Sequence, residues 1–308
     1  MPGPHPDSDP DGCWPSCDDQ RPGVSIRPLR HADLAALLAH LDQHQDQDQG
    51  ADLRGSSLPA PVVAVRVRAS VGRPGASAYA EYRRRRAIQW AAWIGSLPWR
   101  LVAVVAASVT AWLAAAQVAP HLAAPASIAV AAAVAWGLRF RVAPGTLAWR
   151  RGAAAQRRTA RLLAPLERHG WAVLHDLAVP GSQVNIDHLV IGPGGVVVID
   201  SKRYGGRLRL DADGLLWHGR HLLVSVLRKI LWEADQVDEV LGVADLRVAG
   251  VMAVHGTKAP WGRLQADGVL VASARRVPDL LQALPSILGP ERVAWLADRA
   301  RLRFRAAA

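Results

Sequence analysis

The segment 185–202 constrains the fold of this chain more than any other part, because it predicts a tight β-hairpin with an acid in each strand. Two short runs of branched apolar residues flank a Gly-Pro-Gly-Gly turn, a pattern typical of paired strands. If Ile191 pairs with Val196 across the turn, the same register places Asp187 opposite Asp200. Opposed residues share one face of a sheet, with Cβ atoms about 4.5–5.5 Å apart. We therefore expect the two carboxylates to be neighbours.

A lysine accompanies these two acids. Lys202 follows Asp200 by two residues, so strand alternation places its ammonium group on the same face. Two facing carboxylates repel each other unless a cation lies between them. Two acids with an adjacent lysine are the minimal equipment of a metal-dependent phosphodiester hydrolase. The hairpin is thus a candidate metal-binding and catalytic site.

The first sixty residues differ in composition from the rest of the chain. Residues 1–60 are rich in Pro, Asp, Gln and Gly, and we expect a largely disordered polar tail. Both cysteines of the 308-residue chain, Cys13 and Cys17, lie in this tail, so no disulfide framework is expected in the folded part. This cysteine usage is typical of proteins from a reducing, cytosolic compartment.

Two long uncharged runs, 101–119 and 122–138, occupy the middle of the chain. Each approaches the ~20 residues that are needed to cross a ~30 Å hydrocarbon core. Arginines flank both outer ends, including a cluster at 83–86, whereas the connection through Pro120 and His121 carries no Lys or Arg. The positive-inside rule then predicts a multi-pass transmembrane hairpin in the cell membrane, with both termini cytoplasmic.

The same runs are compatible with a soluble protein. Alanine dominates both of them and contributes little to membrane insertion, and Ser108, Thr110 and Gln117 weaken the first run further. In this alternative, residues 101–138 form a buried helical hairpin. We favour the membrane because the charges stop sharply at both ends of the apolar region. The polar, proline-rich first thirty residues contain no secretory signal.

The C-terminal half has the pattern of a small α/β domain. Apolar positions recur at helical spacing after Gly152 and again over 222–241, and short apolar runs between and after these helices predict strands. The order α-β-β-β-(β-β)-α-β-β-α indicates a mixed sheet flanked by helices. The predicted strands are 171–177, 186–191, 196–202, 207–210, 215–218, 248–254 and 269–272, and the last predicted helix is 277–284.

The region that begins at Gly152 resembles the nuclease-related domain family, a branch of the PD-(D/E)xK nuclease superfamily. The resemblance rests on Asn-Ile-Asp-His at 185–188, Gly-Pro-Gly-Gly at 192–195 and Ile-Asp-Ser-Lys at 199–202. It is strongest over 152–206 and weakens towards residue 275. Smaller matches are His175, Asp176, Leu177, Pro180 and Gly206. The resemblance implies a restriction-endonuclease-like fold for this region.

The resemblance also implies a role for each matching residue. Asp187 matches the metal-binding acid of the first catalytic strand, and Asp200 matches the second carboxylate ligand. Lys202 matches the lysine that positions or activates the attacking water and supports charge on the phosphate. The implied cofactor is Mg²⁺ or Mn²⁺, and the implied partner is nucleic acid, which we expect to be DNA.

The chain departs from the family pattern in its first helix. Gln156 stands where the family has a glutamate that joins the metal site. Its amide offers a carbonyl oxygen but no negative charge, so we expect a lower metal affinity. Glu233 can replace that glutamate only if the helix predicted over 222–241 faces the site.

Strand alternation gives the neighbouring polar residues other roles. His188 and Ser201 point away from the acids, so we expect a packed or surface histidine and no serine nucleophile. Asp176 is expected to cap a strand end. No helix follows the turn at 192–195, which is therefore not a phosphate loop. Four arginines form either a solvated face or a track for DNA phosphates: Arg203, Arg207, Arg209 and Arg220.

These patterns divide the chain into five segments. They are a polar tail at 1–60, a basic juxtamembrane segment at 61–100, a transmembrane hairpin at 101–138, a nuclease-related domain at 150–285 and a C-terminal extension at 286–308. We expect a membrane-anchored, metal-dependent nuclease that hydrolyses phosphodiester bonds in DNA. The alternative, favoured by Gln156, is a catalytically degenerate fold that binds nucleic acid or a protein partner at the membrane.

Overall fold

The computed structural model describes residues 71–243, 245–257 and 263–308. The predicted tail at 1–60, both cysteines and the first ten residues of the predicted juxtamembrane segment lie outside these ranges. The described residues form two compact units, one of residues 80–149 and one of residues 71–79 and 150–308.

Helices account for most of the first unit. Helix α1 spans Ala76–Gly95, α2 spans Leu97–Val118, α3 spans Ala123–Gly137 and α4 spans Pro144–Leu163. A short 3-10 turn at Pro120–Leu122 connects α2 to α3. α1 begins in the second unit, and α4 ends there.

Two helical segments of this unit are long and apolar enough to cross a membrane. They are Leu97–Val118, with a mean hydropathy of 2.0, and Pro120–Gly137, with 1.3. The first begins before the predicted residue 101 because Pro98 suits the first turn of a helix. No residue of α2 is buried, and Ala123 is the buried residue of α3. The soluble alternative required the two helices of the hairpin to be buried. Within the described residues of this unit, Ala123 is the one residue of these helices that is buried.

Hydrogen bonds connect the helices of this unit at two levels. Near the middle of the hairpin, the hydroxyls of Ser108 and Ser127 lie 2.8 Å apart. At the end of α3, the carbonyl of Leu138 accepts hydrogen bonds from the indole N–H of Trp93 (3.0 Å) and from the guanidinium of Arg100. Aromatic and cationic side chains grouped at one end of an apolar hairpin are typical of a membrane–water interface.

The second unit is built on strands and three further helices. The strands are β1 (Ala172–Ala178), β2 (Asn185–Gly192), β3 (Gly195–Arg203), β4 (Leu208–Leu210), β5 (Leu216–His218), β6 (His221–Leu222), β7 (Val248–His255), β8 (Arg263–Ala266), β9 (Val269–Ser273) and β10 (Arg305–Ala306). The helices are α5 (Val224–Leu241), α6 (Val277–Gln282) and α7 (Pro290–Arg303). Each of the seven predicted strands is found within one residue of its predicted bounds.

Seven strands form one mixed sheet in the order β10-β1-β2-β3-β7-β9-β8. The central pairs β3–β7 and β7–β9 are parallel, and the outer pairs are antiparallel. Strands β4, β5 and β6 form a small separate sheet. This arrangement confirms the predicted mixed sheet flanked by helices.

Helices cover both faces of the large sheet. Alternate residues of β3 serve different cores: Val197 and Ile199 pack with Leu163 of α4 and Val277 of α6. Val196 and Val198 pack instead with α5 and α7. Burial on both faces explains why residues 196–199 of β3 are a continuous run of β-branched residues rather than an alternating one.

Residues 286–308, predicted as an extension, form part of the second unit. α7 contributes Leu296 and Ala300 to the core on the α5 face, and Phe304 follows it there. β10 then pairs with β1, with Leu177 opposite Ala306. The helix of α4 also begins earlier than predicted, at Pro144 rather than near Gly152.

Candidate active site at the end of the β2–β3 hairpin

β2 and β3 pair in the predicted register. Ile191 lies opposite Val196, and a two-residue turn of Pro193 and Gly194 connects the strands. The ladder, however, ends at the pair of His188 with Ile199. The predicted backbone pairing of Asp187 with Asp200, one step further, is not formed.

The ladder ends here because the Asp187 side chain takes over a backbone role. In a continuing antiparallel register, the Ser201 N–H would donate to the carbonyl of Ile186. It donates instead to Oδ2 of Asp187, at 2.8 Å. The other carboxylate oxygen, Oδ1, accepts a hydrogen bond from the amide nitrogen of Gln156 on α4. Asp187 therefore joins β2, β3 and α4 at one point.

Side-chain alternation along β2 is also interrupted at this point. Ile186 and Leu189, three residues apart, lie in the same core, although strict alternation places them on opposite faces. The interruption turns the Asp187 carboxylate towards Gln156 of α4. The predicted pairing of Asp187 with Asp200 is therefore wrong, although the register that suggested it is confirmed up to the pair of His188 with Ile199.

Asp176 accompanies this interruption on the neighbouring strand. It has a left-handed backbone with φ of 51°, and neither Asp176 nor Asp187 takes part in the β1–β2 ladder. The buried Asp176 carboxylate accepts hydrogen bonds from the Ser77 N–H (3.0 Å) and the Ser77 hydroxyl. Ser77 lies in the first turn of α1, so Asp176 accepts hydrogen bonds from the N-terminus of a helix. The prediction that Asp176 caps a strand end is therefore wrong.

Asp200 lies among cations contributed by β3 and α5. Lys202 Nζ is 3.0 Å from Oδ1 and 2.9 Å from Oδ2 of Asp200, so the predicted placement of these two residues on one face is confirmed. Lys229 Nζ, on α5, is 3.4 Å from Asp200 Oδ1 and also bonds Glu233 one turn later. Glu233 is completely buried. Helix α5 thus does face the site.

Burial and the nearby charges together explain the pKa shifts within this cluster. Burial and the nearby Asp200 carboxylate raise the pKa of Asp187 well above its usual range, against the effect of Lys202 and Lys229. Burial disfavours ionised Asp200 as well, but the same two lysines lower its pKa. Burial also raises the pKa of Glu233, although Lys229 opposes this shift. Three acids share two lysines here, so burial and the surplus of carboxyl groups together favour the protonated forms of Asp187 and Glu233.

The donor atoms of the cluster suit a small hard cation. Among the described residues, two buried side-chain oxygens here have no hydrogen-bond partner: Gln156 Oε1 and Glu233 Oε2. Within the same residues, no group of three His, Cys, Asp or Glu side chains could hold a metal. Mg²⁺ is commonly held by one or two carboxylates, waters and phosphate oxygens. Asp187 and Asp200, with the Gln156 amide, offer that kind of incomplete donor set.

A hydrogen-bonded chain occupies the α4 face beside the acids. The Ser201 hydroxyl donates to the Thr159 hydroxyl at 2.8 Å, and the Thr159 hydroxyl lies 2.8 Å from Nε2 of His255. Ser201 therefore points away from Asp200, as predicted. His188 is a packed histidine, also as predicted: it is fully buried, and its Nδ1 lies 2.8 Å from Nδ1 of His175.

Comparison with known proteins assigns the part of the chain that carries this cluster. Residues 151–254, about a third of the chain, match the model of a family described as nuclease-related domain. The chain contains a nuclease-related domain. This is consistent with the PD-(D/E)xK superfamily. Neither curated proteins nor solved structures gave a significant match to the chain.

The matched segment of the nuclease-related domain contains every candidate site residue. It extends from α4 to the end of β7, so Gln156, Asp187, Asp200 and Lys202 all lie within it. The structure brings Gln156 to Asp187 and Lys202 to Asp200. Strands β8, β9 and β10 with helices α6 and α7 follow the matched segment and complete the sheet and its two cores.

The sequence analysis missed Lys229, Thr159 and His255 as members of this site in the nuclease-related domain. A signal for the first was present, because Lys229 and Glu233 are one turn apart on the otherwise apolar face of α5. Charged residues are rarely fully buried unless they are paired. Thr159 and His255 are 96 residues apart, and no local pattern connects them.

Proposed function

We propose that this chain is a membrane-anchored nuclease whose domain, with a restriction-endonuclease-like fold, hydrolyses phosphodiester bonds in DNA with a divalent metal. The observation that supports this most is the meeting of Asp187 with Gln156 next to the ion pair of Asp200 and Lys202, at the end of one hairpin. Two acids and a lysine in one cluster suit metal-assisted phosphodiester cleavage.

Each residue has a defined task in the proposed reaction. Asp187 and Asp200 would hold Mg²⁺ or Mn²⁺, with the Gln156 carbonyl as a weak third ligand. When bound, the metal supplies a water of lowered pKa and neutralises charge on the phosphate. Asp200 and Asp187 raise the pKa of Lys202 despite its desolvation, so this lysine stays protonated. Lys202 therefore donates to a phosphate oxygen and orients the water rather than acting as a base.

A cleavage assay on the full chain in mild detergent tests this proposal. Plasmid, linear duplex, single-stranded DNA and RNA are incubated with Mg²⁺ or Mn²⁺, or with EDTA. Asp187→Asn keeps an oxygen that can accept from Ser201 and removes the charge, and we expect cleavage to fall by about 100-fold or more. Asp213→Asn, in an exposed turn, is the matched control and should cleave normally. Equal cleavage by wild type and Asp187→Asn would refute the mechanism.

One observation favours the alternative function, in which the fold is catalytically degenerate and acts as a binding module. Protein donors lie within 3.0 Å of every carboxylate oxygen of Asp187 and Asp200, so these oxygens are already engaged. Calorimetry with Mn²⁺ separates the two functions. Metal binding by the wild type supports the nuclease. No binding by the wild type, clear binding by Gln156→Glu and none by the exposed control Gln282→Glu would support a degenerate binding module.

The proposed anchor is the helical hairpin of α2 and α3. Their length and exposed apolar surface support insertion into a lipid bilayer, and the arginine cluster at 83–86 supports a cytoplasmic position for both ends. In this proposal the nuclease-related domain acts on the cytoplasmic side.

A further inference from the structure

A large cavity opens on the α4 side of the second unit. Its volume is about 1530 Å³, and it is lined by α4, by β4 and by the C-terminal ends of β7 and β9. We call it the basic groove, because five arginines line it: Arg158, Arg161, Arg207, Arg209 and Arg275. They come from three separate parts of the chain and are brought together only by the fold.

The positive charge of the basic groove is only partly compensated, because five arginines share one acid, Asp211, which lies close enough to interact with Arg209. All five arginines are exposed, and within the part of the chain that the structure describes none of them forms an ion pair. The acid in the lining is Asp211. Its carboxylate is committed to its own turn, where it accepts from the Leu215 N–H (2.8 Å) and the Trp217 indole (2.7 Å). Convergent cations that outnumber the nearby acids raise the local concentration of anions.

The size and donors of the groove indicate the kind of anion. Its volume exceeds the ~300–1,000 Å³ that is usual for small-molecule sites, which favours an extended ligand. Arginine presents a planar fork of donors that matches phosphate oxygens bidentately. Several such forks along one open groove suit a chain of phosphates rather than a single one.

The groove is connected to the candidate active site through His255. This residue lines the groove, and its Nε2 contacts Thr159, which in turn accepts from Ser201 on β3. Ser201 lies between Asp200 and Lys202 in the sequence. The basic groove therefore reaches the face of β3 that carries Ser201, whereas Asp200 contacts Lys229 of α5 on the other face.

We propose that the basic groove binds the sugar–phosphate backbone of a single nucleic-acid strand, without metal and without sequence preference. The choice of nucleic acid among polyanions rests on the proposed function. The binding step itself needs neither Asp187 nor a metal, so it can be measured separately from cleavage.

The experiment measures anisotropy of a fluorescein-labelled 20-nucleotide DNA of mixed sequence, with the full chain in mild detergent and EDTA. Binding is followed from 50 to 200 mM NaCl. Each phosphate contact to a single strand contributes about −0.7 to the slope of log K against log salt. Arg207→Gln/Arg209→Gln should therefore reduce the slope by about 1.4 and weaken binding by roughly 10-fold or more at 100 mM NaCl, to a similar extent for all sequences.

Arg303→Gln/Arg305→Gln removes two exposed arginines from α7 and β10 and is the matched control, which should bind like the wild type. The proposal is overturned if the Arg207/Arg209 variant keeps the wild-type affinity and slope. It is also overturned if that variant loses binding to phosphatidylserine vesicles but not to DNA, because the groove would then serve lipid headgroups.

The two proposals fail in different ways. Binding that depends on the groove arginines, with no cleavage under any metal condition, refutes hydrolysis and supports the basic groove. Cleavage by the Arg207/Arg209 variant with an unchanged KM refutes the basic groove and leaves hydrolysis standing. Asp187→Asn should bind DNA as the wild type does, and a loss of binding there would overturn the separation of binding from catalysis.

Discussion

Lys229 Nζ lies 3.4 Å from the Oδ1 atom of Asp200, and it bonds Glu233 at the same time. One cation of α5 thus joins an acid of β3 to a second acid on its own helix. The side chains of Lys229 and Glu233 are only 12% and 1% exposed, so water screens little of this interaction. Removing the cation leaves buried negative charge without its partner.

Substitution of this lysine should destabilise the protein strongly. Breaking a buried ion pair by removing one partner typically costs about 3–5 kcal/mol, and we expect a loss of this size for Lys229→Met. The double variant Lys229→Met/Glu233→Gln should recover much of it, because no charge is then left alone. Urea unfolding measures both. A single variant within about 1 kcal/mol of the wild type would contradict the prediction.

The Asp176 carboxylate should contribute to stability beyond its backbone strain. Asp176 and Asp267 share a left-handed backbone, with φ of 51° and 50°, but Asp267 is exposed. Asp267→Ala therefore reports the cost of alanine at such a φ, about 1 kcal/mol. Asp176→Ala should cost about 1–3 kcal/mol more, because the Ser77 N–H loses its acceptor. Equal losses in thermal unfolding would show that the contact with Ser77 contributes nothing.

His175 should make the protein less stable as the pH falls below neutrality. Burial lowers the pKa of His175 to about 4, whereas a histidine in an unfolded chain titrates near 6.5. The unfolded state then binds more protons, so the contribution is complete above pH ~6.5 and is lost as the pH falls towards 4, at up to about 1.4 kcal/mol per pH unit. The stability of His175→Gln, measured by urea unfolding between pH 7 and 4.5, should fall less steeply. The exposed control His221→Gln should follow the wild-type curve.

The proposed membrane topology predicts a labelling pattern. The chain has two cysteines, so Cys13→Ser/Cys17→Ser provides a background without thiols. In intact cells, a membrane-impermeant maleimide should label His121→Cys in the turn between α2 and α3. Ala308→Cys should react only after the membrane is made permeable. The reverse pattern would contradict the topology, and recovery of the chain in the soluble fraction without detergent would contradict insertion itself.

The strands of the domain could be predicted because their sequence signals are local. Short apolar runs between turn residues predicted each of the seven strands, and the Pro193-Gly194 turn fixed the hairpin register. β8 and β10 were missed because they are short edge strands of four and two residues with little apolar character. Helix α7 was missed because charged residues are interspersed with its apolar ones, although Leu296 and Ala300 are fully buried.

The site could be predicted less completely than the strands. The resemblance brought Gln156 to the site, and the structure places it on Asp187. Alternation failed at Asp187 because a side chain displaced a backbone hydrogen bond, and no periodicity in the sequence reports such a substitution. The basic groove could be predicted only in part, because Arg158 and Arg275 are distant in sequence from Arg207. Contacts that depend on the closure of the whole sheet cannot be derived from spacing along the chain.

The hydrogen bond from Ser201 to Asp187 changes how relatives of this protein should be sorted. A carboxylate that completes the end of a strand ladder has a structural role that does not depend on catalysis. We therefore expect a hydrogen-bond acceptor at position 187 even in relatives without nuclease activity. The presence of an aspartate here is therefore poor evidence of activity, and the residue at position 156 is the more informative marker to compare.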